Sequence, residues 1–200
     1  MLKVSVVVGN PKPASRTRMV AEAVVQKLLA PGSYTVDVID LADHTSEIFT
    51  WPSETMATLS ATVAESDLVI FASPTYKATY TGLLKAFLDR YSANALAGVT
   101  AIPVMTGGDF AHAMGPTFTL SPLLAELGAT VPGRGFYLAL SQLDQLEDAV
   151  EAAATEHAHN LKRVTNIARA AAVTPQPDDC RVPPESHRSK VSPIDPSAAS

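Results

Sequence analysis

The chain has 200 residues, 46% of them apolar and 18% charged, with a formal net charge of −5. This balance suits a single soluble globular domain with a real core, and the negative charge argues against wholesale nucleic-acid binding. The single cysteine, Cys180, excludes an internal disulfide; no Cys/His pattern has metal-ligand spacing, and no apolar run approaches the roughly 18 residues of a membrane span.

The first predicted element is a buried strand, Leu2 to Val8. A polar, Pro-rich loop from Gly9 to Thr17 leads into an amphipathic helix with Val20, Val24, Val25, Leu28 and Leu29 on one face. Tyr34 to Ile39 alternates Val36 and Val38 with polar neighbours, which predicts a strand on the edge side of a sheet. Ala42 to Ser53 reads as a connection, and Glu54 to Glu65 as a helix with Met56, Leu59 and Val63 inward. Leu68 to Ala72 is a central strand that Ser73-Pro74-Thr75-Tyr76 should stop. A helix from Thr81 to Tyr91 follows, then a strand from Val99 to Met105 closed by Thr106-Gly107-Gly108. The next helix runs from Thr117 to Leu127, kinked or restarted at Pro122. The fifth strand lies within Thr130 to Leu140, interrupted near Pro132-Gly133, and a long helix runs from Leu143 to Arg169. His157 and His159, two apart on that helix, fall on different faces and read as solvated histidines rather than metal ligands. Residues 173–200 hold six of the fifteen prolines and no apolar periodicity, and are expected to be a disordered tail to a domain spanning 1–172. The start, Met1-Leu2-Lys3-Val4, has no charged leader followed by an apolar core and a cleavage site, so a cytoplasmic protein is expected.

Five strands alternating with helices predict an α/β three-layer sandwich, flavodoxin-like, with a five-stranded parallel sheet of order 2-1-3-4-5. In such a sheet ligands collect beyond the carboxyl ends of the strands. Three loops with unusual sequences leave those ends: Gly9 to Thr17, Ser73 to Tyr80, and Thr106 to His112. The first ends a strand and opens a helix, an arrangement of free N–H groups that binds phosphate. There Gly9 lets the chain turn, Ser15 caps the helix, and Arg16 and Thr17 add donors. In the second loop the backbone N–H groups of Tyr76 and Lys77 are placed to face the polar edge of a planar ring. In the third, Gly107 and Gly108 leave room for a flat ligand against the backbone. Asp109 and His112 stand either as catalytic groups or as caps. No nucleophile–base pair, Gly-x-Ser-x-Gly elbow or P-loop lysine is present, so a bound cofactor is expected to carry the reaction.

Three motifs together resemble the NADPH-dependent FMN reductases of the flavodoxin-like superfamily, especially those of alkanesulfonate and methanesulfonate utilisation. They are Gly9-Asn10-Pro11 with Ser15-Arg16-Thr17, Ser73-Pro74-Thr75-Tyr76-Lys77-Ala78 with Tyr80-Thr81-Gly82-Leu83-Leu84-Lys85, and Thr106-Gly107-Gly108 with Ala111-His112. The resemblance spans Leu2 to roughly Arg169. It implies FMN in the crevice, its phosphate held by Asn10, Ser15, Arg16 and Thr17. Pro74, Thr75, Tyr76 and Lys77 would run along the isoalloxazine, and Thr106, Gly107, Gly108 and Asp109 would border its other side. NADPH or NADH would stack on the exposed flavin face and deliver hydride to N5. Reduced FMN would then serve a flavin-dependent monooxygenase. The resemblance also implies a homodimer or homotetramer, with Lys85, Asp89 and Arg90 near a helix that pairs subunits. Related alkanesulfonate reductases can carry a tyrosine in the fourth helix, tied to a π-bulge at the tetramer interface. The matching residue here is Phe118, which keeps the ring without the hydroxyl, and Pro116 permits a different helix start. The alternatives are an FMN-bound quinone, azo or metal reductase, and a flavodoxin-type electron carrier. The modest net charge and the loop cations Lys12, Arg16 and Lys77 favour direct binding of an anionic nucleotide over the carrier.

Overall fold

The computed structural model describes residues 1–171. The expected Pro-rich tail and Cys180 lie outside them. The strands are β1 (Leu2–Val8), β2 (Tyr34–Asp40), β3 (Leu68–Pro74), β4 (Thr100–Gly107) and β5 (Phe136–Ala139). The helices are α1 (Arg16–Leu28), α2 (Glu54–Ala64), α3 (Gly82–Leu88), α4 (Ser121–Glu126) and α5 (Leu146–Ala170). The strands form one parallel sheet in the order β2-β1-β3-β4-β5, as the alternation of elements predicts.

Strand periodicity sorts the core into two layers. Val4, Val6, Val8, Ile70 and Val104 meet Val20 and Val24 of α1 and Val150 of α5. The alternate residues Val7, Val69, Phe71 and Met105 meet Met56, Leu84, Phe87 and Leu124 on the opposite face. β3 is buried along its whole length, and β2 is an edge strand with Val36 exposed. No helix among the described residues is long and apolar enough to cross a membrane.

Several boundaries differ from the sequence reading. β3 does not stop at Ala72: Ser73 and Pro74 continue it, paired with Met105 and Thr106 of β4. The ladder is one-sided there, because β1 ends opposite Ala72, so the missing N–H of Pro74 costs little. β4 likewise runs through Thr106 and Gly107 rather than closing at Met105. α3 is shorter than expected, since Thr81 caps it and Asp89 ends it. Thr130 makes one isolated bridge to Thr100, the pairing is then interrupted, and β5 proper begins at Phe136.

Between β4 and α4, residues Pro116–Leu120 form a π-helical turn, in which the Ser121 N–H donates to the Pro116 carbonyl. In a regular α-helix the ring of Pro122 would strike the carbonyl of Phe118, four residues earlier. One extra residue in the turn relieves that conflict, so the π geometry forms without a tyrosine hydroxyl at 118.

His157 is not solvated. It is 3% exposed, one and two helical turns from the buried Ala154 and Val150, whereas His159 is exposed.

Candidate functional site

The direction of chain progression reverses between β1 and β3, which opens a crevice at their carboxyl ends. The three loops singled out in the sequence converge there.

The first loop gathers unpaired donors at the start of α1. Ser15 caps α1, its Oγ accepting from the Arg18 N–H at 3.3 Å. The N–H groups of Arg16 and Thr17 in the first turn have no acceptor among the described residues. Asn10 makes a tight turn, its Oδ1 accepting from the Lys12 N–H at 2.9 Å. Thr17, 1% exposed, receives a hydrogen bond from Asn10 Nδ2 at 3.1 Å and shares one with the Thr106 hydroxyl at 2.8 Å. Asn10, Thr17 and Thr106 thus tie the first loop to the third. Arg16 and Lys12 are exposed at the rim.

Gly9 has a different role from the one read in the sequence. Its φ is not positive; its place is set by close approach to α3. A Cβ at this position would lie 2.5 Å from Leu84 Cβ, and Thr81 Oγ1 donates to the Gly9 carbonyl at 2.5 Å.

The second loop makes a four-residue turn, Tyr76-Lys77-Ala78-Thr79. The Tyr76 N–H donates to the Thr79 carbonyl at 2.9 Å, and the Thr79 N–H returns to Tyr76 at 3.2 Å. The central residues have positive φ, 51° for Lys77 and 69° for Ala78, as in a type I′ turn. The Tyr76 N–H is therefore consumed in closing the turn. The Lys77 N–H has no acceptor among the described residues.

The third loop divides its glycines. Gly108 has nothing within 4 Å of a Cβ built on it, whereas a Cβ on Gly107 would collide with the hydroxyl of Tyr137. The open backbone face read in the sequence belongs to Gly108 alone. Asp109 acts as a cap, accepting from the Ala111 N–H at 2.9 Å. Tyr137 donates its hydroxyl to the Asp109 carbonyl at 2.7 Å. Burial, with the charge of Asp109 beside it, holds the Tyr137 phenol above its ordinary range.

Asp40, which the sequence reading did not single out, and Thr81, which it named in the second motif without a role, organise these loops. Asp40, 3% exposed at the end of β2, accepts from the Ala14 N–H at 3.0 Å and lies 3.8 Å from the Arg18 guanidinium. It holds Ala14 at φ 48°. Thr81 joins the first two loops through Gly9, and its N–H donates to Ser73 Oγ at 3.0 Å. An acidic residue ending a parallel strand on the crevice side was the available signal for Asp40.

The donor set fits a phosphorylated planar cofactor. It offers free N–H groups at the start of α1, an open backbone at Gly108, and a buried Thr75 Oγ1 with no hydrogen-bond partner among the described residues.

Residues 2–143 match the family described as NADPH-dependent FMN reductase. The chain is 32% identical over 152 residues to the NADH-dependent FMN reductase SfnF of Pseudomonas putida, covering 72% of this chain and 81% of that one. It is 31% identical over 130 residues to the FMN reductase (NADPH) of Escherichia coli K12, covering 64% and 68%. Among solved structures it is similar to the apo form of an NADH:FMN oxidoreductase. That match has a TM-score of 0.66 and 28% identity, and covers 78% of this chain and 90% of that one. Fold, site geometry and these likenesses agree: the chain belongs to the NADPH-dependent FMN reductase family, enzymes that pass electrons from a reduced nicotinamide to FMN.

Proposed function

We propose that this NAD(P)H:FMN oxidoreductase treats FMN as a substrate and releases the reduced form to a flavin-dependent monooxygenase in the cytoplasm. The named activities of the P. putida and E. coli relatives support the reductase reading. The observation that carries the site is the Asn10–Thr17–Thr106 network, which locks the anion seat to the ring-side loop. FMN, when bound, supplies the centre that accepts hydride from NADPH or NADH.

The chain's own part is binding and orientation. Ser15, Arg16 and Thr17, with Asn10 behind them, take the phosphate through backbone N–H groups, hydroxyls and one guanidinium. Pro74, Thr75, Tyr76 and Lys77 lie along one side of the ring, with the free N–H of Lys77 as donor. Thr106 to Asp109 lie along the other, with Gly108 as the flat face. Lys12 and Lys77, both exposed, give the nicotinamide nucleotide a cationic approach.

We assign this activity to residues 1–172 and to a homo-oligomer. Phe110, Met114 and Phe118 are 54%, 48% and 70% exposed, large apolar side chains that association would cover.

The test is steady-state oxidation of NADPH and of NADH by purified protein, with and without added FMN, while bound flavin is followed by absorbance. Colourless protein that consumes FMN as a saturable substrate supports the proposal. Yellow protein that turns over only with a quinone or dye refutes release of FMN.

A further inference from the structure

Tyr137 reaches from the outermost strand to the third loop. It stands on β5 in register with Met105 of β4, four residues before Asp109. Its ring runs along β4 toward the carboxyl end of the sheet. There the hydroxyl lies against the Gly107 backbone, in the space a Cβ would take, and donates to the Asp109 carbonyl at 2.7 Å. The ring also meets that of Phe110, with centroids 6.5 Å apart and planes tilted by 46°. Burial and the neighbouring Asp109 charge hold the phenol above its ordinary range, so the hydroxyl keeps its proton and stays a donor.

This bond fixes the orientation of one peptide plane. In a trans peptide the C=O and N–H point in opposite directions. The Asp109 carbonyl is turned back to Tyr137, on the sheet side of the loop. The Phe110 N–H is therefore turned outward, beyond the strand ends, where the crevice lies. That N–H has no acceptor among the described residues, because the Asp109 carboxylate takes the Ala111 N–H instead. Beside it is the open backbone of Gly108. A free donor next to a flat face suits a planar ring with a polar rim.

We propose that Tyr137 is a positioning residue for the reductase reaction: its hydroxyl holds the Asp109 carbonyl on the sheet and thereby presents the Phe110 N–H to a heteroatom of the flavin ring. This rests on the reading that FMN occupies the crevice. Reduction raises the electron density on the ring heteroatoms, so a donor fixed in advance binds reduced FMN more tightly than oxidised FMN. Without the hydroxyl the peptide is free to turn, and that preference falls. Only the backbone of Phe110 is used; its exposed side chain remains on the face given to association.

The test is Tyr137→Phe, which keeps the ring contact with Phe110 and removes only the O–H. Full-length wild type and variant are titrated anaerobically with oxidised FMN and with chemically reduced FMN, and each Kd is measured by calorimetry. The variant is expected to bind reduced FMN about tenfold more weakly and oxidised FMN about twofold, so the ratio of the two affinities changes about fivefold. A loop that was merely loosened would weaken both forms equally. Circular dichroism confirms that the variant is folded; should Tyr137→Phe not fold, Gly107→Ala, whose Cβ drives the hydroxyl from its place, makes the same test. Wild type that binds neither form overturns the FMN reading and this proposal with it. Wild type that binds both, with an unchanged ratio in the folded variant, overturns the role of Tyr137 alone.

Discussion

Gly9→Ala is the substitution whose effect the geometry constrains best. The added Cβ would sit 2.5 Å from Leu84 Cβ, 3.2 Å from Leu84 Cα and 3.2 Å from Thr81 Oγ1. None of these is the far end of a flexible side chain. Ordinary contact requires about 1 Å of separation between β1 and α3, a change no rotamer can supply. Leu84 and Phe87 are fully buried and Leu88 nearly so, and they resist the shift of α3. Overpacking of this kind costs about 1–3 kcal/mol. For a domain of this size that lowers Tm by about 2–4 °C per kcal/mol. The Thr81 hydroxyl bridges to the Gly9 carbonyl, so the shift also pulls the first loop from the second, and FMN affinity should fall about tenfold. Gly82→Ala is the control: nothing lies within 4 Å of its Cβ, and Ala at the first position of α3 stabilises by about 0.5–1 kcal/mol. Thermal melts and FMN fluorescence quenching on both variants decide the matter. If Gly9→Ala melts and binds FMN as Gly82→Ala does, the close-approach argument is wrong.

Other outcomes follow from the same site. Thr17→Val leaves the Asn10 amide and the buried Thr106 hydroxyl short of a partner; it should cost about 1–3 kcal/mol and weaken FMN binding, read by denaturant melts and flavin titration. Ser15→Ala removes the cap of α1, with an expected loss of about 1 kcal/mol; unchanged Tm would show that the cap contributes nothing. His157 titrates below its ordinary value near 6.5 because it is buried, with the Glu156 charge opposing. The unfolded chain therefore binds the extra proton first as pH falls below about 6.5, so this stability is full above that pH and drains away below it. His157→Leu should flatten the acid limb of Tm against pH; a limb parallel to that of the wild type would refute this origin.

The sheet order was legible because each strand and helix carries its own period, and the crevice because loops at strand ends can be counted. What the sequence withheld is set by distant neighbours. Gly9 and Gly107 are visible as glycines, yet their reasons are Leu84, 75 residues on, and Tyr137, 30 residues on. Pro74 was read as a strand breaker because pairing on one side only is a property of the sheet, not of the segment. His157 escaped because apolar periodicity does not count histidine, although its spacing from Val150 and Ala154 places it inward. At Asp109 the sequence left catalytic group and cap open; the structure shows its carboxylate accepting from the Ala111 N–H two residues on, as a cap does.

The Lys77-Ala78 turn bears on how this loop can be redesigned. A type I′ turn is most at ease with Asn-Gly, and an L-residue with a Cβ in the left-handed region loses about 1 kcal/mol against glycine. Here both central positions carry that handicap. A chain optimised for folding alone would place glycine at one of them, so the side chains at 77 and 78 are the informative part of the loop. Ala78→Gly should raise Tm by about 2–4 °C, and any activity it loses on the way measures what the alanine methyl contributes to the crevice. The turn is thus a place where stability and activity can be varied against each other with a single methyl group.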